Sequence, residues 1–103
     1  MDWLPPADIT ETDDAFRIAL ELCGVDRHGV DIQLTDGRLT ISGVRETDVP
    51  GEVCHYRERP RGRFVRAFSF RTPVDDDAIE ARLADGLLTV TVPKRRPTRV
   101  PLT

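Results

Sequence analysis

Long apolar runs, paired cysteines and nucleotide-binding glycine loops are scarce or missing in this sequence. No apolar run exceeds a few residues, whereas a membrane-spanning helix needs about 20. The first residues, Met1–Pro6, lack the basic and apolar regions of a secretory signal. Two cysteines are too few for a disulfide scaffold, so we expect free thiols. Because the export signal and the membrane-spanning run are both missing, we expect a cytoplasmic location and no membrane partner.

The length of the chain excludes several large folds. With 103 residues it has room for one domain, and a domain of this size buries about 65% of its unfolded surface. Barrel enzymes and doubly wound nucleotide-binding folds need at least about twice that length. A hydrophobic content of 39% with 32% charged residues is typical of a globular domain rather than a disordered chain.

Lysine is almost absent, and the charges are unevenly distributed. Fourteen of the fifteen cationic residues are arginine, which favours fixed, fork-like pairing. Residues 1–51 carry four Arg against eleven Asp and Glu (−7), and residues 52–103 carry eleven Lys and Arg against seven Asp and Glu (+4), which sum to the net −3. Such asymmetry is typical of a polyanion site or of self-association between opposite faces.

Alternation of apolar and polar residues is the dominant pattern along the chain and predicts strands with one buried face. The dipeptides Asp36-Gly37 and Asp85-Gly86 each predict a tight hairpin, and Asp75–Ile79 is compatible with one helical turn. We therefore predict an all-β, immunoglobulin-like two-sheet antiparallel β-sandwich. The predicted strands are Asp8–Glu11, Phe16–Leu22, Val30–Thr35, Arg38–Val44, Val53–Arg59, Arg63–Arg71, Ile79–Leu83 and Leu87–Val92.

Residue patterns for catalysis and metal binding are missing. Cys54 and His55 are neighbours on a predicted strand, so their side chains point to opposite faces and cannot form a dyad. Cys23 and His28 do not complete a zinc-ligand spacing with them, and neither glycine-rich phosphate motif occurs. We predict no catalytic residue, no metal site and no cofactor, and thus no enzyme.

A run of alternating arginines, Arg57, Arg59, Arg61 and Arg63, is the main basic feature. Nucleic-acid binding through the run would favour interleaved aromatic residues and a basic domain, whereas the isoelectric point is about 5.3. Pairing with the acidic first strand of a second copy is the interpretation we prefer.

Four segments, in this order and spacing, resemble the α-crystallin domain of the bacterial and plant small heat-shock proteins from about Ala7 to Pro93. Asp8–Asp14 (D-I-T-E-T-D-D) is similar to the family's entry segment, and Phe64–Phe68 (F-V-R-A-F) matches its F-x-R-x-F pattern. Ala81–Leu88 (A-R-L-A-D-G-L-L) is similar to the A-x-x-x-n-G-v-L signature. Val100, Pro101 and Leu102 fit the C-terminal I/V-x-I/L motif.

This resemblance implies an ATP-independent holdase, a chaperone that binds unfolding proteins and suppresses their aggregation. It implies an arm at residues 1–7 that is much shorter than the family's, an α-crystallin domain at 8–93 and an extended tail at 94–103. Cys23 also departs from the family, which usually has proline there. A groove between two edge strands would bind the tail motif of a neighbour or a client, and its lining would be Val30, Ile32, Leu34, Ala81 and Leu83.

The resemblance also implies a homodimer, and larger homo-oligomers, in which the loop strand Val53–Arg59 pairs with the partner's first strand. Arg66 shares strand parity with three phenylalanines, so we expect a buried or half-buried charge that pairs with a partner carboxylate or reaches water. The expected interface comprises Asp8, Ile9, Glu11, Val53, Tyr56, Arg57, Arg59 and Arg66. The alternatives are a co-chaperone or interaction module of the CS-domain kind and, less favoured, a nucleic-acid binder through Arg57–Arg71.

Overall fold

The computed structural model describes residues 1–97 and 100–103, and its regular structure is almost entirely β-strand. A single turn of 3-10 helix spans Arg27–Gly29. Within the described ranges, no helix is long and apolar enough to cross a bilayer. The strands are β1 (Ala7–Glu11), β2 (Ala15–Glu21), β3 (Asp31–Thr35), β4 (Arg38–Arg45), β5 (Gly62–Ser69), β6 (Glu80–Ala84) and β7 (Leu87–Pro93).

The strands form two antiparallel sheets that pack face to face. One sheet has the order β1-β2-β7-β6 and the other has the order β3-β4-β5. Burial alternates along each central strand, because successive side chains of a strand point to opposite faces. In β2, for example, Phe16, Ile18 and Leu20 are buried while Arg17 is exposed. The predicted all-β two-sheet sandwich is thus confirmed.

Side chains from both sheets and from the adjoining loops meet in one hydrophobic core. Its largest members include Phe64 of β5, which is fully buried and lies opposite Gly43 of β4. A Cβ at Gly43 would lie 2.8 Å from the Phe64 ring, so glycine is required there for close packing. The buried core residues are Phe16, Ile18, Leu20, Leu22, Val25, Leu39, Ile41, Phe64, Val74, Leu88, Val90 and Val92.

Both Asp-Gly dipeptides form the tight hairpins that the sequence predicts. Asp36 and Gly37 have φ angles of 51° and 73°, and Asp85 and Gly86 have φ angles of 54° and 77°. Positive φ at both central positions is the geometry whose twist matches that of the flanking strands. These two turns fix the registers of β3 on β4 and of β6 on β7.

Two predicted elements are different in the structure. Val53–Arg59 is not a strand in the single chain, because no neighbouring strand offers it backbone hydrogen bonds. Asp75–Ile79 forms a turn rather than a helical turn, in which the Asp75 carboxylate accepts a hydrogen bond from the Asp77 N–H at 3.1 Å.

The first residues of the chain, predicted as a short arm, lie against the outer edge of β5. The Asp2 N–H donates to the Arg63 carbonyl at 2.7 Å, and the Asp2 carboxylate accepts from the Arg63 N–H at 2.8 Å. Trp3 donates its indole N–H to the Gly62 carbonyl at 2.9 Å, and its ring meets Phe64 edge-on at 5.5 Å. This edge of the second sheet is therefore covered by the chain itself.

Acid is expected to loosen this N-terminal contact. The pKa of the Asp2 carboxyl lies below its ordinary value of 3.8, chiefly because the Arg63 N–H donates a hydrogen bond to the carboxylate. A lowered pKa in the folded state favours attachment above the unfolded-state pKa, and this contribution is lost as the pH falls through the folded-state value. Trp3 is the single tryptophan, so its emission should shift to longer wavelength below about pH 4.

The variant Asp2→Asn isolates this titration from that of the other carboxylates. Its Trp3 emission should lack the acid step and should already be shifted at neutral pH. An identical acid profile in Asp2→Asn and in the unmodified chain would contradict the assignment.

Candidate functional site

Three terminal strand edges are open among the described residues, because the fourth, the edge of β5, is partly covered by Asp2 and Trp3. They belong to β1 and β6, which end the four-stranded sheet, and to β3, which ends the other sheet. Open edges expose backbone N–H and C=O groups that can pair with another chain. The edges of β3 and β6 lie side by side and form one cleft, whereas β1 lies at the opposite end of its sheet.

The cleft between β3 and β6, here called the edge groove, is lined by aliphatic side chains together with basic residues. Val30 and Ile32 come from the β3 side, Ala81 and Leu83 come from β6, and Leu88 of β7 lies beneath them. Residues two apart on a strand share a face, so each wall presents a pair of aliphatic side chains. The remaining lining residues are Arg27, His28, Arg82 and Ala84.

The predicted groove residue Leu34 lies outside this lining. It is half-buried and packs against the hydrophobic core. The structure thus brings four of the five predicted groove residues together around the cleft.

Arg27 bridges the two walls of the edge groove. It stands on the 3-10 turn, whose N-cap is Asp26, and the Asp26 carboxylate accepts from the His28 N–H at 2.9 Å. One Arg27 Nη2 atom donates to the Leu83 carbonyl at 3.0 Å. This carbonyl belongs to the open edge of β6, so the guanidinium occupies an acceptor that a docking strand would use. Sequence analysis missed Arg27 because a lone arginine in a turn carries no periodic signal.

Residues 46–61 form a long connection between β4 and β5, here called the arginine loop. Every residue from 48 to 61 is exposed. Asp48 organises the loop, because its two carboxylate oxygens contact Arg57 Nη2 at 2.5 Å and Arg61 Nη1 at 2.8 Å. Val53 and Tyr56 are 78% and 80% exposed, which is unusual for side chains of this size.

Segments outside the sandwich give the molecule an elongated outline. The longest dimension is 74 Å and the radius of gyration is 17.4 Å, whereas a compact domain of this length has a radius of about 13 Å. Strands of at most eight residues span only about 27 Å. The extra length therefore comes from segments that project from the sandwich.

The first-strand residues predicted for a dimer interface lie on the free edge of β1. Asp8, Ile9 and Glu11 are all exposed, with 48% exposure for the Ile9 side chain. Glu11 contacts Lys94 Nζ at 2.5 Å within the same chain. The loop residues Arg57 and Arg59 are exposed as well, so the single chain presents an acidic edge strand and, separately, two exposed arginines.

Arg66 is half-buried, and its observed partner is a backbone group. Its Nη1 donates to the Pro5 carbonyl at 3.1 Å, and the guanidinium carbon lies 5.2 Å from the Phe68 ring centre. Within the chain the guanidinium thus binds a backbone carbonyl, and its pairing with a partner's carboxylate stays a prediction. A carbonyl acceptor from the N-terminal segment is available because that segment folds back over the sandwich.

Arg45 is the buried cation that the sequence did not reveal. It is 8% exposed, and its Nε and Nη2 donate to the Pro60 carbonyl at 2.8 and 2.5 Å. Its Nη1 donates to the Cys23 carbonyl at 3.1 Å, and its guanidinium lies 3.9 Å from the Trp3 ring centre. Arg45 thereby joins the base of the arginine loop to the end of β2.

The C-terminal motif is free of the edge groove of its own chain. Val100 and Leu102 are 81% and 99% exposed. The start of the tail is fixed instead, because the Lys94 N–H donates to the Asp14 carbonyl at 2.8 Å and the Arg95 N–H donates to the Pro73 carbonyl at 2.9 Å. An exposed aliphatic pair is thus presented on a segment that begins at a defined place on the sandwich.

Comparison with known proteins gives consistent matches. Small heat shock protein C2 of Rickettsia felis is 37% identical over 94 residues, which cover 89% of this chain and 61% of that protein. Heat shock protein 16.0 of Schizosaccharomyces pombe superposes with a TM-score of 0.86 at 31% identity, covering 99% of this chain and 77% of the other. A small heat-shock protein from Xylella fastidiosa, whose crystal structure reveals a distinct high order structure, superposes with a TM-score of 0.85 at 30% identity, covering 100% and 99%.

The family model "Hsp20/alpha crystallin family" matches residues 8–101. This range includes both walls of the edge groove, the arginine loop, and all seven strands apart from the first residue of β1. The resemblance carried by the sequence motifs is thereby confirmed. The chain belongs to the Hsp20/alpha crystallin family.

Proposed function

We propose that this protein is an ATP-independent holdase that binds unfolding proteins and suppresses their aggregation. The observation that carries the proposal is the edge groove, where aliphatic side chains lie between two open strand edges. An unfolding chain offers both apolar side chains and unpaired backbone groups, which are what such a cleft can bind. Membership of the family supports the same activity, although the chain spans only 61% of the Rickettsia relative.

The proposed working unit is a homodimer made by exchange of the arginine loop. Val53–Arg59 would pair with the free edge of the partner's β1, Ala7–Glu11, which would supply the backbone partners that the loop lacks in the single chain. Arg57 and Arg59 would then lie near Asp8 and Glu11 of the partner's β1, so the opposite charges of the two segments favour this pairing.

Larger homo-oligomers are proposed to form through the tail. The exposed Val100 and Leu102 of one chain would enter the edge groove of another, while Pro101 prevents further strand growth because it has no N–H. The α-crystallin domain is proposed to span 8–93, between an N-terminal segment at 1–7 and the tail at 94–103. A cytoplasmic location and the lack of enzymatic activity are further parts of the proposal.

Light scattering of a heat-aggregating client protein tests the proposed activity. Scattering should fall as this protein is added, and the fall should be the same with and without ATP. The groove variant combines Val30→Glu and Leu83→Glu in one chain. The comparison variant carries Val65→Glu, on an exposed face of β5. The groove variant should lose most of the suppression, whereas Val65→Glu should retain it. Undiminished scattering at several-fold molar excess of the unmodified chain would contradict the holdase proposal.

A further inference from the structure

The charged side chains among the lining residues of the edge groove are arginines, whereas the exposed residues Asp31, Glu80 and Asp85 adjoin the lining in sequence. The lining contains Arg27, Arg82 and His28, and none of the described lining residues carries a carboxylate. The nearby Asp26 carboxylate already accepts a hydrogen bond from the His28 N–H in the 3-10 turn. Both arginine side chains belong to exposed residues, and neither forms an ion pair among the described residues. Arg82 alternates with Ala81 and Leu83 along β6, so its side chain points to the opposite face. An incoming segment therefore meets the Arg27 guanidinium beside the aliphatic lining.

The chain's own tail carries charge of the same sign. Arg95, Arg96 and Arg99 precede Val100 by one to five residues. An extended segment rises about 3.3 Å per residue, so Arg95 and Arg96 would lie within about 17 Å of Val100. When Val100 and Leu102 occupy the groove, like charges face each other, which lowers the affinity. The tail is thus matched to the aliphatic lining and mismatched to the charge of Arg27.

Arg27 also contacts the backbone of β6. Its hydrogen bond to the Leu83 carbonyl, at 3.0 Å, fills one of the edge acceptors that a docking strand needs. A carboxylate is a stronger partner for a guanidinium than a neutral carbonyl. A segment that brings a carboxylate to Arg27 would therefore draw the guanidinium away and expose the Leu83 carbonyl for backbone pairing.

We propose that the edge groove selects extended protein segments in which two aliphatic residues, two positions apart, lie next to one or more carboxylates. Arg27 is the specificity-determining residue, since it both attracts the carboxylate and releases the β6 edge when it does so. The inference rests on the proposed holdase function and names the class of client segment that would displace the tail.

Two peptides of matched apolar content test this selection. One has the sequence of residues 94–103, and the other replaces its Lys and its three Arg with Glu. Binding of each peptide, labelled with a neutral fluorophore, is measured by anisotropy against the full chain carrying Val100→Ala and Leu102→Ala, which keeps the chain's own motif out of the groove. Unmodified chain is measured in parallel. Amide chemical shifts of Ala81–Ala84 report whether the peptide lies in the groove.

The acidic peptide should bind about tenfold more tightly than the basic peptide at low salt. The difference in affinity should shrink in 0.5 M NaCl, because the electrostatic screening length falls to about 4 Å at that salt concentration. Arg27→Gln keeps a donor for the Leu83 carbonyl but removes the charge, and should reduce the preference roughly threefold. Arg17→Gln, on the exposed face of β2, is the matched control and should leave the preference unchanged.

Arg27→Ala separates the two roles of the residue. It removes the cover from the Leu83 carbonyl, so a neutral peptide with Gln at the same four positions should bind more tightly to Arg27→Ala than to Arg27→Gln. Equal affinity of these two variants for the neutral peptide would overturn the covering role.

Equal affinities for the acidic and basic peptides, a preference that Arg27→Gln leaves undiminished, or shifts confined to the arginine loop would each overturn the selection. Client aggregation assays on the same samples distinguish a failure of the proposed selection from a failure of the proposed holdase function. Suppression that continues without any charge preference would overturn the selection alone, and preferential peptide binding without suppression would overturn the holdase proposal alone.

Discussion

Replacing Arg45 with alanine is expected to destabilise the fold by about 3–4 kcal/mol. The substitution removes three hydrogen bonds to the Pro60 and Cys23 carbonyls and the cation–π contact with Trp3. It leaves two partly buried acceptors without their donor, and a hydrogen bond from a charged group contributes about 1.5–3 kcal/mol. The melting temperature should fall by about 15–25 °C, measured by circular dichroism at one protein concentration.

Two further variants separate the buried contacts from the charge itself. Arg45→Lys keeps the charge but cannot reach both carbonyls with one ammonium group, so its melting temperature should lie between those of the unmodified chain and Arg45→Ala. Arg17→Ala, at an exposed position of β2, should change stability by less than about 0.5 kcal/mol. An Arg45→Ala protein that melts like Arg17→Ala would show that the three hydrogen bonds contribute little.

Shortening the arginine loop is expected to convert the proposed dimer into a monomer. Residues 47–59 are replaced by Asn-Gly, which leaves a five-residue connection between the paired residues Arg45 and Gly62. Hairpin loops of this length are common, and Pro60 keeps its carbonyl for Arg45. The sandwich should fold and the segment that would pair with the partner's β1 is gone. Sedimentation should therefore give the monomer mass, compared with twice 11.6 kDa for the unmodified chain.

The edge of β1 provides an independent approach to the same interface. Ile9→Lys places a charge on the strand that the loop would contact, and should weaken the dimer with the loop intact. Val65→Lys changes an aliphatic residue of similar exposure, 45% against 48%, on β5 and should leave the dimer intact. A shortened-loop protein that still sediments as a dimer, or equal dimer stability in the two lysine variants, would place the association on another surface.

The sequence alone determined the fold class and most strand positions. Alternation in Phe16, Ile18 and Leu20 gives a strand with one buried face whatever surrounds it, because side chains on a strand alternate by geometry. The two Asp-Gly turns set hairpin registers through local backbone preferences. The motifs at Asp8–Asp14 and Ala81–Leu88 were sufficient to predict the family to which the chain belongs.

Tertiary structure alone decided the polar contacts between distant segments. In the sequence, Arg45 is one more charged residue at the end of a predicted strand. Only the fold brings Pro60, Cys23 and Trp3 around its guanidinium. Arg27 reaches Leu83 across 56 positions of sequence, and Asp2 reaches Arg63 across 61. Hydrophobic patterning records which face of an element is buried, but not which carbonyl lies beside a given guanidinium, because that depends on how the two sheets and their loops pack.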